Sequence, residues 1–176
     1  MLGLRYTIDL KDPKNQFLEG HKLDNTIIYP ASGYLVMVWK ALANSLGLLY
    51  SNVPIIFEEV NIETATILTH VKPVNLEVNI MNASGNFEIR REHSKIMCGR
   101  VKLADISSLP DPTPKNSAVV NDFAILKTDD IYKEFKLRGY NYSGHFRGIK
   151  RIDSDGQFYT FCNLRICIPY FITAVF

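Results

Sequence analysis

The sequence predicts an α+β fold in which an antiparallel sheet wraps round a single central helix. Three observations carry that prediction. Residues 4–10 alternate apolar and polar side chains. Residues 31–46 form the only long helix-compatible apolar segment near the N-terminus. Between residues 54 and 103, short β-rich runs follow one another with turn residues between them.

In the first run, Leu4, Tyr6, Ile8 and Leu10 lie on one side and Arg5, Thr7 and Asp9 on the other. A period of two predicts a half-buried strand. Residues 11–15 (KDPKN) form a turn. His21 follows Gly20 in a polar turn, and Asp24-Asn25 is turn chemistry because both residues tolerate a left-handed backbone. A strand-like piece, 26–29, then leads to Pro30.

Ala31-Ser32-Gly33 opens the helix, with Ser32 as a candidate cap. Tyr34, Val38, Ala41, Leu42, Ser45 and Leu46 fall near one face. Leu35, Met37 and Trp39 extend the apolar surface almost all the way round, which predicts a helix buried on every side. Gly47 is the expected stop. Strands are expected at 54–62, 65–70, 74–81, 86–91 and 96–103, paired as antiparallel hairpins. Asn82 to Asn86 is a clear turn, with Gly85 available for positive φ.

Residues 107–117 (SSLPDPTPKNS) carry three prolines and read as a linker. Beyond it, Thr128-Asp129-Asp130 caps a short helix over 131–137 that ends at Arg138-Gly139. The run GYNYSGHFRGI is rich in aromatics and glycine. Two strands within 149–164 flank a turn at Asp153 to Gly156. The last nineteen residues, 158–176, are strongly apolar, but Asn163, Arg165 and Pro169 argue against a membrane span, which needs about 20 apolar residues.

Bulk composition is that of an ordinary globular chain: 176 residues, 47% hydrophobic and 22% charged, with net charge +2. That balance suggests neither nucleic acid nor a membrane surface as a partner. The cysteines, Cys98, Cys162 and Cys167, have no metal-ligand spacing, so no metal is expected. An odd count without a signal sequence fits a reducing, cytoplasmic setting.

Taken alone, His21 reads as a turn histidine hydrogen-bonded locally. The spacing changes that reading. Asn25 stands four residues on and Pro30 five after that, and the helix lead-in YPASGYLVMVWKALA follows. This stretch resembles the HxxxGxxxxP motif of the dehydratase domains of animal fatty acid synthases and polyketide synthases, with Asn25 in the glycine position. IIFEEVNIETATIL resembles the strand pair after that family's central helix. IYKEFKLRGYNYSGHFRGI is similar to the segment opening its second half, with Tyr142-Ser143-Gly144 where the family often has Tyr-Gly-Pro. The wording is closest to the animal fatty acid synthases.

The resemblance implies a double hotdog: 1–106 a first hotdog, 107–120 the linker, and 121–176 the start of a second, incomplete one. It implies elimination of water from a 3-hydroxyacyl thioester to give a trans-2-enoyl thioester. No cofactor is bound directly; the substrate arrives on the phosphopantetheine of an acyl carrier protein. By the resemblance His21 is the base, a role suited to an imidazole because that group ordinarily titrates near neutrality. Asn25, Pro30, Tyr142 and Gly144 are the implied substrate-binding residues. The partners implied are the carrier protein and the other synthase domains, in a homodimeric full-length synthase. The family's catalytic acid is an aspartate on the second central helix, and past Thr160 this chain has no Asp or Glu. The isolated chain is therefore expected to be inactive. The alternative is a non-catalytic hotdog that binds acyl thioesters or pairs with another hotdog.

Overall fold

A computed structural model describes residues 2–105, 125–153 and 159–161. The first strand, β1 (Leu2–Ile8), leads through a turn to a 3-10 turn at Gln16–Gly20 and the short strands β2 (Lys22–Leu23) and β3 (Thr26–Ile27). Helix α1 (Ala31–Ser45) follows, then β4 (Ile55–Ile62), β5 (Val74–Ile80), β6 (Asn86–Arg91) and β7 (Ser94–Leu103). Five of these strands form one antiparallel sheet in the order β1-β5-β6-β7-β4. In the second part, β8 (Ile125–Lys127) leads into helix α2 (Thr128–Leu137), and β8, β9 (Ile149–Asp153) and β10 (Tyr159–Phe161) form a three-stranded sheet in the order β10-β9-β8. Among the described residues no helix is long and apolar enough to cross a membrane. The expected linker and the apolar stretch from residue 162 onward lie outside the described residues, as do Cys162 and Cys167.

The core lies between the large sheet and α1. Leu76, Val78 and Ile80 of β5, Phe87 and Ile89 of β6 and Val101 of β7 face Tyr34, Met37, Val38 and Ala41 of the helix. The period-two pattern thus meets the period-3.6 pattern across one apolar layer. Phe57 of β4 meets Phe87 edge to face at 5.8 Å, a favoured aromatic geometry. Trp39 is buried, and its indole N–H donates to the Val53 carbonyl at 2.7 Å.

Three expectations are corrected. The helix is not buried all round: Ser32, Lys40 and Asn44 are exposed along one flank, because the sheet curls round the opposite side only. Ser32 is not its cap. Pro30 holds the cap position with an extended backbone, no side chain caps the helix, and Ser32 sits in the first turn.

Residues 65–70 are not a strand of the sheet. A register shift between Glu58 and Asn61, with Glu59 at φ 52°, disrupts β4 pairing. The chain then crosses to residues 27–29. Tyr29 N–H donates to Thr66 O at 2.9 Å and Leu68 N–H to Ile27 O at 2.9 Å.

Elsewhere the boundaries move for local reasons. β1 ends at Ile8 because the Asp9 carboxylate accepts the Lys11 N–H at 2.9 Å and starts the turn. α2 starts at Thr128 because Asp130 Oδ2 accepts the Lys127 N–H at 3.3 Å, capping it one turn early. The α1 stop is as expected. Gly47 adopts φ 68°, its N–H donates to Asn44 O, and Leu48 N–H donates to Ala43 O. Those two bonds are the Schellman pattern.

Candidate functional site

The site is built on a hairpin. After the 3-10 turn Gln16–Gly20, His21 N–H donates to Leu18 O at 3.0 Å. β2 and β3 then pair across the two-residue turn Asp24-Asn25, with φ of 46° and 62°. Two consecutive left-handed residues are what a type I′ hairpin requires, and Asp and Asn accept that conformation at low cost. Asn25 therefore takes a left-handed backbone that glycine adopts most readily.

The hairpin locks the His21 side chain. Ile28 N–H donates to His21 O at 3.0 Å, and His21 Nδ1 lies 2.8 Å from Ile28 O. A carbonyl oxygen can only accept, so Nδ1 carries the proton, and the neutral ring presents Nε2 as its basic nitrogen. A half-buried imidazole held in one tautomer, with one nitrogen committed to the backbone, is an oriented proton acceptor.

Residues 139–143 lie alongside this hairpin. Asp24 N–H donates to Gly139 O, Asn141 N–H to Lys22 O and Ser143 N–H to Gly20 O, all between 2.8 and 2.9 Å. The Asn25 N–H reaches Asn141 Oδ1 at 3.2 Å, across 116 positions of sequence. This alignment stacks the Tyr142 ring on His21, with centroids 5.0 Å apart and planes at 23°. Gly144, at φ 55°, turns the chain into a 3-10 turn at Gly144–Phe146. The Phe146 ring then returns to 4.9 Å from His21. Burial, then the neighbouring Tyr140 and Tyr132, push the Tyr142 phenol upward, so it stays neutral at working pH and can donate a hydrogen bond.

Of the sequence-predicted residues, the structure brings His21 and Tyr142 together, and sets Asn25 at the hairpin tip against Asn141. Pro30 is buried at the head of α1, in the cap position with an extended backbone. Gly144 stands in open space, and its role is the positive φ. The other histidines are elsewhere: His70 is exposed beside Glu19, His93 is exposed at the β6–β7 turn, and His145 meets Phe17 edge-on at 6.2 Å. Glu58 is engaged with Lys102 at 2.7 Å on the bulged strand. Among the described residues no group of three His, Cys, Asp or Glu could hold a metal.

Sequence reasoning missed Phe146, Asn141 and the Ile28 carbonyl. Tyr142 and Phe146 are four residues apart, a spacing that a close look at the GYNYSGHF run exposes. The carbonyl has no side-chain signature at all.

Three comparisons bear on this arrangement. The profile of the polyketide synthase dehydratase domain matches residues 2–92. The chain is 25% identical over 167 residues to the highly reducing polyketide synthase acrA of Aspergillus aculeatus, covering 85% of this chain and 7% of that protein. It is 31% identical over 166 residues to the equisetin synthetase eqxS of Fusarium heterosporum, covering 82% and 4%. Among solved structures, the dehydratase domain from the CurF module of the curacin polyketide synthase superposes with a TM-score of 0.69 at 16% identity, over 86% of this chain and 55% of that one. A trans-AT polyketide synthase dehydratase domain from Brevibacillus brevis gives 0.67 at 19% identity, over 85% and 58%. The fold is thus the hotdog arrangement expected from the sequence. The chain spans less than a tenth of these curated relatives and a little over half of these solved domains.

Proposed function

This chain belongs to the polyketide synthase dehydratase family, and from that premise we propose that it supplies the base-bearing portion of a dehydratase. The reaction is loss of water from a 3-hydroxyacyl thioester, giving a trans-2-enoyl thioester. His21 takes the α-proton at Nε2. The observation that carries the reading is the pairing of His21 Nδ1 with Ile28 O inside the motif hairpin, which leaves the other nitrogen to act. Tyr142 and Phe146 wall the imidazole, and Asn25 and Pro30 hold the geometry of the loop. Tyr142, Asn25 and Gly144 border the path of the acyl chain.

The β-hydroxyl must leave with a proton, and an acid has to provide it. Past Thr160 the sequence offers no carboxylate, so we assign that acid to residues beyond this sequence, in a longer synthase of polyketide or animal fatty acid type. In this reading 1–106 is the first hotdog, 107–120 joins it to the second, and 121–176 begins the second. The substrate is delivered by an acyl carrier protein on its phosphopantetheine arm, in the cytoplasm, within a homodimeric synthase. No cofactor takes part in the proton transfers.

A second reading is a non-catalytic hotdog that binds acyl thioesters or pairs with another hotdog. An immunoblot of cell extract with an antibody against residues 22–42 separates the two. A band far above 20.1 kDa supports the synthase portion; a band at that mass supports the binding protein. The catalytic assignment is tested by enoyl formation from a 3-hydroxyacyl N-acetylcysteamine thioester by the native protein. Activity should be lost in His21→Ala, and enoyl product formed at an undiminished rate by that variant overturns the assignment.

A further inference from the structure

Two rings flank the His21 imidazole, Tyr142 with its centroid at 5.0 Å and Phe146 at 4.9 Å. The Nδ1 hydrogen bond to Ile28 O pins one edge of the imidazole, and the flanking rings limit how far the other edge can swing. Both flanking rings lead back to one residue of α2, Tyr132.

The first route runs through the Tyr132 hydroxyl. It donates to Phe146 O at 3.1 Å and accepts from Ile149 N–H at 3.1 Å. A phenol can donate one hydrogen bond and accept others, so a single hydroxyl staples residues 146 and 149 to α2. Tyr132 is itself firmly seated. It is 7% exposed, and the Arg147 guanidinium lies over its ring at 4.9 Å while donating to Asp129 Oδ1 at 2.7 Å. Phe17 also stacks on Phe146, at 6.1 Å, but Phe17 is 45% exposed, so the firmer hold on Phe146 comes from Tyr132.

The second route runs through rings. Tyr132 meets Phe135 edge to face at 5.5 Å, and Phe135 meets Tyr142 edge to face at 6.1 Å. Both are favoured aromatic geometries. Tyr142 then stacks on the imidazole with planes at 23°.

We propose that Tyr132 is a positioning residue for His21: its hydroxyl sets Phe146, its ring sets Tyr142 through Phe135, and the two together aim Nε2. The proposal rests on the dehydratase reading of the site and adds to it the residue that orients the base. Proton transfer needs the base within hydrogen-bond reach of the proton it takes, so a small swing of the imidazole costs rate without changing how substrate is held.

The test combines NMR of the 176-residue chain with kinetics of the native protein. Tyr132→Phe keeps the ring and removes both hydroxyl hydrogen bonds; Phe135→Leu keeps the hydroxyl and breaks the ring route. In each, the His21 Cδ2–H and Cε1–H resonances should move, and in Phe135→Leu the upfield shift from Tyr142 should be partly lost. Phe135→Leu carries the NMR test if Tyr132→Phe does not fold. Ile131→Val is the control. Ile131 is buried on the same helix and belongs to neither route, so this variant should loosen α2 and leave both resonances in place. With a 3-hydroxyacyl N-acetylcysteamine thioester, Tyr132→Phe should lower kcat about tenfold at unchanged KM, the pattern of a misaligned base rather than a lost substrate contact. His21 resonances unmoved in the ring and hydroxyl variants, resonances moved equally by Ile131→Val, or a raised KM at full kcat overturn the proposal. Enoyl formation undiminished in His21→Ala removes the dehydratase reading instead, and the NMR comparison still decides whether Tyr132 orients the imidazole.

Discussion

Gly20 and Ser143 approach each other so closely that no side chain fits between them. A Cβ at residue 20 would lie 2.4 Å from the Ser143 carbonyl oxygen, and Ser143 N–H donates to Gly20 O at 2.9 Å. This contact seats residues 139–143 on the His21 hairpin, and with them the Tyr142 ring. Gly20→Ala should push the two segments apart. The expected cost is about 1–3 kcal/mol, the range for overpacking. The Tyr142 ring-current shift on the His21 protons should fall with it. Urea denaturation and one-dimensional NMR check both effects; unchanged values in each would contradict the packing described.

The His21 tautomer can be observed directly. In a ¹⁵N-labelled sample above the titration range of imidazole, Nδ1 should show the shift of a protonated nitrogen and Nε2 the pyridine-like shift. The reverse assignment would break the link between the Ile28 carbonyl and the basic nitrogen.

Asn25 sits in the left-handed region, at φ 62°. Asn25→Gly should leave the thermal midpoint nearly unchanged. Asn25→Val should destabilise by about 1–2 kcal/mol, because a β-branched residue resists left-handed φ. Two variants of equal stability would mean that the turn does not need that conformation.

Alkaline stability should follow the tyrosines on and around α1. Burial, then Tyr34 and Tyr6, push Tyr29 far up. Burial also raises Tyr34, against the lowering effect of Thr66 and Arg91, and burial raises Tyr6. The Tyr34 hydroxyl has no hydrogen bond of good geometry among the described residues, nor does that of Thr66. A phenol raised in the folded state stays neutral there after its unfolded counterpart ionises. Its contribution is therefore complete below the ordinary phenol range, about pH 10, and is lost as pH rises through that range toward the folded values. The urea midpoint should fall between about pH 9 and pH 11, and less steeply in Tyr29→Phe. A flat midpoint across that window would refute the assignment.

Trp39 is the single tryptophan of the chain, which makes its hydrogen bond to Val53 O easy to isolate. Trp39→Phe removes the donor and leaves a buried carbonyl without it, at a cost of about 1–3 kcal/mol by denaturation. In the parent chain its emission should be blue-shifted when folded and move to the red on unfolding. Red emission from the folded chain would contradict its burial.

The sequence determined by itself whatever depends on neighbours along the chain. The alternation in 4–10 placed β1 within two residues, and the apolar run after Pro30 placed α1. The turn at 82–86 and the left-handed tolerance of Asp24 and Asn25 were legible because a turn is set by a few consecutive φ/ψ choices. The spacing of His21, Asn25 and Pro30 identified the family because that motif is local. Tertiary structure alone decided which strand joins which sheet: residues 65–70 have strand composition, yet the bulge at Glu58–Asn61 sends them to residues 27–29. It alone decided the exposed flank of α1, since apolar composition does not say which side the sheet covers. It also assembled the site, bringing Tyr142, Phe146 and Asn141 to His21 across more than a hundred positions through backbone hydrogen bonds. Backbone N–H and C=O groups are the same at every residue, so nothing in the sequence marks which of them will meet.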